Sequence, residues 1–323
     1  MADPVLAVIG EALIDIVHES DGSATPRPGG SPLNVAIGLA RLEQPTAFLG
    51  RFSGDEYGAL LRTHAERAGL DLTHAVDGRE PSTVAGVHLD ARGIAQYEFT
   101  VDGTADFAWT DAELAIPAGV RVVHYGSLTS WLPPGDAVVA RRIAELYAHG
   151  TTLISYDPNV RPHLQPDAGR ARTQIEAALR QAHVVKASEE DVRYLYGDEP
   201  IEDAARRWQA AGPSLVVITR GPDGPFALAN GAGVDRPSFP IDVVDTVGAG
   251  DAFTSGLLDA LVGRGFDSPQ RLGELGGDAL AAVLDEGSLV AAITCSRAGA
   301  NPPSRSELTS AQAQITPGSS WSR

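Results

Sequence analysis

Residues 120–157 read VRVVHYGSLTSWLPPGDAVVARRIAELYAHGTTLISYD. Two apolar runs of strand length, VRVVHYG (120–126) and TTLISYD (151–157), bracket the helix-like GDAVVARRIAELYAHG (135–150). A continuous apolar run marks a strand buried on both faces, and two such strands joined through a helix make a parallel crossover. The same rhythm extends in both directions. VLAVIG (5–10), TAFLGR (46–51), AHVVKA (182–187) and SLVVITR (214–220) are further strand candidates. SPLNVAIGLARL (31–42), GDEYGALLRTHAERAG (54–69) and GRARTQIEAALRQ (169–181) read as helices between them. In 31–42, Leu33, Ile37, Ala40 and Leu42 share a face, and Pro32 suits a first helical turn. The fold class is therefore α/β, a doubly wound, mostly parallel sheet flanked by helices.

Two segments break the rhythm. Residues 11–28 hold a short alternating strand, the turn signal SDGS and a return, and 82–101 give two alternating runs around DARG, a hairpin. With no helix to cover them, these strands are expected to form a small β-sheet lid, from about 11–28 and 82–103. An edge extension of the main sheet is the alternative. The whole of 1–310 then forms one α/β domain, with a polar C-terminal tail over 311–323.

The chain has 323 residues, 43% of them apolar, enough for one large α/β domain or two ordinary ones. A net charge of -17 argues against a nucleic-acid partner, which needs clustered Lys and Arg. It does not exclude phosphorylated ligands, because a few local N–H groups outweigh a global field. Cys295 is the only cysteine, so no intrachain disulfide is possible, and a cytoplasmic location fits. The N-terminal apolar run is broken by Gly10, Glu11 and Asp15, and no stretch reaches the ~20 apolar residues of a membrane span. No membrane association is expected.

Three stretches carry chemistry. In DTVGAGDAFTSGLLDAL (245–261), Phe253, Leu257, Ala260 and Leu261 stand at core spacing on a helix from about 251 to 264. Gly248, Ala249 and Gly250 let backbone N–H groups approach a ligand closely, and a helix start favours anions. Asp251 puts a carboxylate in that anion hole. A plain helix start capped by Asp251 is one reading. The other is a phosphotransferase, in which the carboxylate takes a proton from an attacking hydroxyl while the N–H groups stabilise the transferring phosphoryl. In PGGSPLNVAIGLARL (28–42), two glycines precede a helix whose first turn carries Asn34. In GEALIDIV (10–17), Glu11 and Asp15 are acids in an apolar stretch, where burial requires bonding partners such as sugar hydroxyls.

GGSPLNVAIGLARL and DTVGAGDAFTSGLL resemble the two signature regions of the PfkB/ribokinase family of carbohydrate kinases, in the family's order and at about its separation. The resemblance runs from about residue 5 to 303 and lies nearest the fructokinases. It implies an ATP-dependent kinase acting on a sugar hydroxymethyl, with Asp251 as catalytic base and Gly248, Ala249 and Gly250 as anion hole. It further implies Asp15, Gly29, Gly30 and Asn34 as holders of sugar hydroxyls. ITRGPDGPFAL (218–228) is similar to the family's nucleotide-binding turn, implicating Thr219, Gly221 and Gly224. AGANPP (298–303), with Asn301, resembles the segment passing the adenine, and Asp245 occupies a position tied to a monovalent cation, so potassium activation is expected. The family's Asn-x-x-Glu, associated with Mg²⁺ and phosphate, is replaced in KASEEDV (186–192) by Ser188 and Asp191. Mg-ATP chemistry survives that change if Asp191 holds a metal-bound water. An exposed helical acid is the competing reading of Asp191.

YDPNVRPHL (156–164) is similar to a stretch shared by fructokinases and 2-keto-3-deoxygluconate kinases, and Arg161 offers five donors there for sugar oxygens or phosphates. On AQYEFTV (95–101), Tyr97 and Phe99 point one way, either toward a sugar face or into lid packing. The expected substrate is fructose, phosphorylated at O6. A 2-keto-3-deoxygluconate kinase, a nucleoside kinase and a non-catalytic sugar- or nucleotide-binding regulator are the alternatives. A homodimer through the lid is a further expectation.

Overall fold

A computed structural model describes residues 5–18, 24–89 and 95–315, without the side chains of 17–18, 87–89 and 95–98. Strand β1 (Leu6–Ile9) leads into β2 (Leu13–His18) and β3 (Ala24–Gly29), and α1 (Ser31–Arg41) follows. Next come β4 (Thr46–Leu49), β5 (Arg51–Ser53), α2 (Glu56–Arg67), β6 (Val76–Gly78) and the pair β7 (Val84–Leu89) and β8 (Ala95–Thr100). The chain then alternates through β9 (Val122–Gly126), α3 (Asp136–His149), β10 (Leu153–Asp157), α4 (Ala168–Leu179) and β11 (Val184–Ser188). Helices α5 (Glu189–Tyr196) and α6 (Ile201–Ala211) lead to β12 (Leu215–Thr219), β13 (Pro225–Ala229) and β14 (Ala232–Asp235). The described chain ends in α7 (Ala249–Gly263), α8 (Pro269–Leu272), α9 (Gly277–Cys295) and α10 (Arg305–Gln314).

The main sheet runs β14-β13-β12-β11-β10-β9-β1-β4. Strands β4, β1, β9, β10, β11 and β12 are mutually parallel, while β13 and β14 are antiparallel additions that no alternating pattern announced. Each parallel strand divides its side chains between two cores. Leu6, Val8, Val122, Leu153 and Val217 join the core under α1, α7 and α9, while Ile9, Val123, Ile154 and Ile218 join the core under α3 to α6. Burial on both faces is why these segments read as unbroken apolar runs.

The two irregular segments form a separate sheet of order β3-β2-β7-β8, so the lid reading holds against the edge-extension alternative. The SDGS and DARG turns themselves lie outside the described residues. Beneath this sheet Leu13, Ala85, Phe107, Leu128 and Trp131 make a small core, against which Phe99 packs. Phe99 is thus lid packing.

Two expectations change. Helix α7 starts at Ala249, not at 251, with Gly248 in the cap position. The polar tail also begins later than residue 311. Ser304 and Glu307 form a capping box that starts α10, Leu308 is buried with Leu42 and Val290, and Ala311 and Ile315 pack on the same cluster. The apolar spacing Leu308, Ala311, Ile315 was present but thinned by serine and glutamine. No helix among the described residues is long and apolar enough to cross a membrane.

Helix α7 meets α9 backbone to backbone. A Cβ on Gly256 would lie 2.9 Å from the Cα of Gly287. Gly256→Val is therefore expected to wedge the helices apart, costing about 1–3 kcal/mol by overpacking. Thermal unfolding measures it, and an unchanged melting temperature would contradict the contact.

Candidate active site

At the start of α7, Gly248 adopts φ 74°, and a Cβ there would lie 2.6 Å from that of Ala300. A side chain is excluded on both conformational and steric grounds. A left-handed residue beside right-handed helical ones is the backbone pattern from which anion-binding nests are made. Among the described residues, the N–H groups of Gly248, Gly250 and Asp251 have no protein acceptor. The N–H of Ala249 differs, since it donates to the Thr246 carbonyl at 3.1 Å. Of the four amides expected to form an anion hole over 248–251, three are thus open and one is engaged.

The carboxylate of Asp251 does not cap its own helix. Its Oδ1 accepts from Ser31 Oγ at 2.6 Å and its Oδ2 from Asn34 Nδ2 at 2.8 Å. Both donors stand three residues apart on the first turn of α1, which puts them on one face. Helix α1 therefore braces the carboxylate of α7 beside the open N–H groups. Sequence reading did not single out Ser31. Its available signal was a hydroxyl at the helix start, one turn before Asn34. Asn34, expected to hold sugar hydroxyls, turns its amide nitrogen to Asp251 and keeps Oδ1 as an acceptor.

The glycines Gly29 and Gly30 bring α1 against the β1–β2 connection. A Cβ on Gly29 would lie 2.2 Å from Asp15 Oδ2, and one on Gly30, at φ 104°, 2.6 Å from the carbonyl of Glu11. Asp15 is half-buried on β2. Burial, reinforced by the charge of Asp251 and opposed by Arg161, pushes its carboxyl up to about 6. Glu11 is buried beneath, accepting from Thr129 N at 3.1 Å and Thr129 Oγ1 at 2.8 Å, and burial raises its pKa. It ties the main sheet to the loop after β9. Arg161 lies in the loop after β10. It donates to Asn159 Oδ1 at 2.7 Å and to the carbonyls of Asn159 and Val160, and its charge acts on Asp15. Tyr97 stands on β8 opposite Val87, and its side chain lies outside the described residues.

The remaining candidates fall into two groups. Ser188 and Thr219 are register partners at the C-terminal ends of β11 and β12, where open parallel sheets place ligands. Ser188 and Asp191 form a capping box on α5, and Asp191 Oδ1 also accepts from Val160 N at 2.7 Å. Asp191 is therefore buried and structurally engaged, not an exposed helical acid. Gly221 and Gly224 have φ 54° and 78° around a short 3₁₀ turn after β12. A Cβ on Gly224 would lie 2.1 Å from the Arg236 carbonyl. In the second group, Asp245 accepts from Val247 N at 3.0 Å and Gly299 N at 2.8 Å, and these bonds hold its carboxyl below the usual range. They draw the loop 298–303 to the entrance of α7. Asn301 accepts from Arg41 at 2.8 Å, anchoring that loop to α1. Among the described residues no cluster of three His, Cys, Asp or Glu side chains could hold a metal ion.

Residues 4–307 match the pfkB family of carbohydrate kinases. The chain belongs to this family. As a pfkB carbohydrate kinase it is a phosphotransferase. A fructokinase of Salmonella typhimurium is 32% identical over 80% of this chain and 84% of its own length. Fructokinase-1 of Oryza sativa subsp. japonica is 35% identical, covering 78% and 81% respectively. Among solved structures, a sugar kinase from Pyrococcus horikoshii in complex with ATP superimposes with a TM-score of 0.77 and 28% identity, over 94% of this chain and 97% of that one.

In this pfkB kinase Asp15 lies within the reach of the Asp251 charge, and burial holds its carboxyl up at about 6. Its ionised form accepts hydroxyl hydrogen bonds, and protonation removes an acceptor. Sugar kcat/KM is expected to fall as pH drops through about 6, and Asp15→Asn to raise the sugar KM while flattening that limb. A pH–rate profile checks this, and an unaltered acid limb in the variant would exclude Asp15 as its source.

Proposed function

We propose that the chain transfers the γ-phosphoryl of ATP to the 6-hydroxyl of fructose. One observation carries the reading: a braced carboxylate, Asp251, stands beside helix-start N–H groups that lack protein acceptors. A simple anion-binding site would be weakened by that negative charge, whereas phosphoryl transfer uses both parts. Ser31 and Asn34 fix the direction of the carboxylate, so it meets the sugar hydroxyl in a reactive geometry. As the hydroxyl oxygen attacks, its proton passes to Asp251, and the N–H groups of Gly248, Gly250 and Asp251 offset charge on the phosphoryl oxygens. Asp15 orients the sugar from the lid side, with Gly29 and Gly30 letting the backbone lie close, and the Arg161 charge faces the same cleft. The names of the curated relatives support fructose, and the ATP complex of the similar sugar kinase supports the nucleotide.

Magnesium fits as a partner of the nucleotide rather than as a resident ion. Asp191 already accepts three hydrogen bonds, two on Oδ2 and one on Oδ1, which leaves it suited to a metal-bound water. The ion would neutralise phosphate charge. Thr219, Gly221, Gly224, Ser188 and Asn301 would line the nucleotide's path, and potassium would sit near Asp245 among backbone carbonyls. A cytoplasmic location and a homodimer through the lid belong to the same proposal. Pro26 and Pro28 on the exposed strand β3 disfavour edge pairing there, which leaves β8 or the sheet face for a second copy; light scattering reads its mass.

A sugar panel with Mg-ATP, with and without K⁺, tests the reading through ADP release. Fructose is expected to be turned over best, and Asp251→Asn to lose on the order of 10² or more in kcat. Preference for 2-keto-3-deoxygluconate or a nucleoside would reassign the substrate. Nucleotide binding without turnover of any sugar would favour a binding protein.

A further inference from the structure

Strand β11 carries a lysine, Lys186, that neither the fold nor the family signatures account for. It is 5% exposed, yet it is not packed as a hydrophobic stem with its charge in water. Its Nζ donates to Asp157 Oδ2 at 2.9 Å, the one hydrogen bond it makes among the described residues. An ammonium has three donors, so two remain for other acceptors in a buried setting. The position of Nζ shows where they lead. A Cβ on Gly250 would stand 3.0 Å from it, so the ammonium abuts the backbone whose N–H groups form the anion hole. Burial alone would push its pKa down, but Asp157, Asp251 and Asp191 together hold the group above its usual value, and it stays charged. The cation thus pairs with Asp157 and lies in the field of Asp251 and Asp191, and a phosphoryl group arriving at Gly250 brings further negative charge to it.

We propose that Lys186 is a catalytic residue whose ammonium donates hydrogen bonds to the transferring phosphoryl group at the start of α7. This rests on the phosphotransfer reading given above. In the step, the sugar oxygen forms a bond to the γ-phosphorus, and the bond from that phosphorus to the bridging oxygen breaks. The electron pair leaves on the nucleoside diphosphate, and the hydroxyl proton goes to Asp251. Lys186 keeps all its protons. It offsets charge on the phosphoryl oxygens from the side of the sheet, while the amides of Gly250 and Asp251 do so along the helix axis. Glycine at 250 then has two reasons, an open amide and room for Nζ.

The rival account is that Lys186 only neutralises Asp157, as buried pairs do. Two variants separate the accounts. Lys186→Met removes the cation, and Lys186→Met with Asp157→Asn removes both charges while keeping the Asp157 position's bond to Asn159. Calorimetric titration with ADP and with a non-hydrolysable ATP analogue reads the γ-phosphoryl contact apart from turnover. In both variants ADP is expected to bind within about threefold of wild type, and the triphosphate analogue to weaken on the order of tenfold or more. The kcat is expected to fall on the order of 10² with the sugar KM little changed. The double variant should recover thermal stability without recovering kcat. Recovery of kcat in the double variant, or equal weakening of both nucleotides, would overturn the proposal. Wild-type turnover with full activity in Lys186→Met would overturn it while sparing the kinase reading. Absence of nucleotide binding by the wild type would overturn both.

Discussion

The carboxylate of Asp251 sits on the positive end of α7 but is bonded across the interface to α1. That constraint fixes much else. Ser31 and Asn34 reach it only if two helices far apart in sequence pack with little between them. Small residues supply the closeness: a Cβ on Gly38 would lie 2.4 Å from Ser255 Oγ, and Gly256 of α7 lies against Gly287 of α9. Three helices are thereby locked on one face of the main sheet, and the bracing distance follows from backbone packing rather than from flexible side chains.

Charge is arranged around the same point. Asp15 approaches from the lid, Asp157 from the sheet and Asp191 from the first turn of α5, and Lys186 and Arg161 stand among them. The carboxylates of Asp15 and Asp157 are both pushed up to about 6, chiefly by burial and also by their neighbours' charge. Like charges gathered in a partly dry cleft are costly without a purpose. A cation-bearing, anionic ligand complex arriving among them is a consistent use for the arrangement. The lid contributes because β2 and β3 bring Asp15 beside Gly29, so a sheet that folds away from the main core still supplies one wall of the cleft.

Much of this was legible in the chain itself. The unbroken runs at 120–126 and 151–157 marked strands covered on both faces, and alternation at 82–101 marked the lid, since burial leaves its period in the sequence. The signatures at 28–42 and 245–261 singled out Gly29, Gly30, Asn34 and Asp251. What escaped were features without a local pattern. The antiparallel pair β13 and β14 follows a turn that was read only for its ligand, and α10 carries too few apolar residues to stand out. Ser31 looked like any helix-start hydroxyl. Asp191 reads from the sequence as the holder of a metal-bound water or as a solvated acid in a run of three, and neither reading foresees the capping box and the Val160 amide that make it internal.

The sequence by itself determined the α/β class and the identity of the carboxylate at the helix start, and it marked the lid strands without excluding that they extend the main sheet. These depend on periodicity and on residue types within a short window. Only the tertiary structure decided what that carboxylate bonds to, which amides over 248–251 stay open, and that a buried lysine from β11 lies against Gly250. Those relations join residues 64 to 220 positions apart, and hydrogen-bond geometry over such separations is set by how helices and strands pack, which no local pattern encodes.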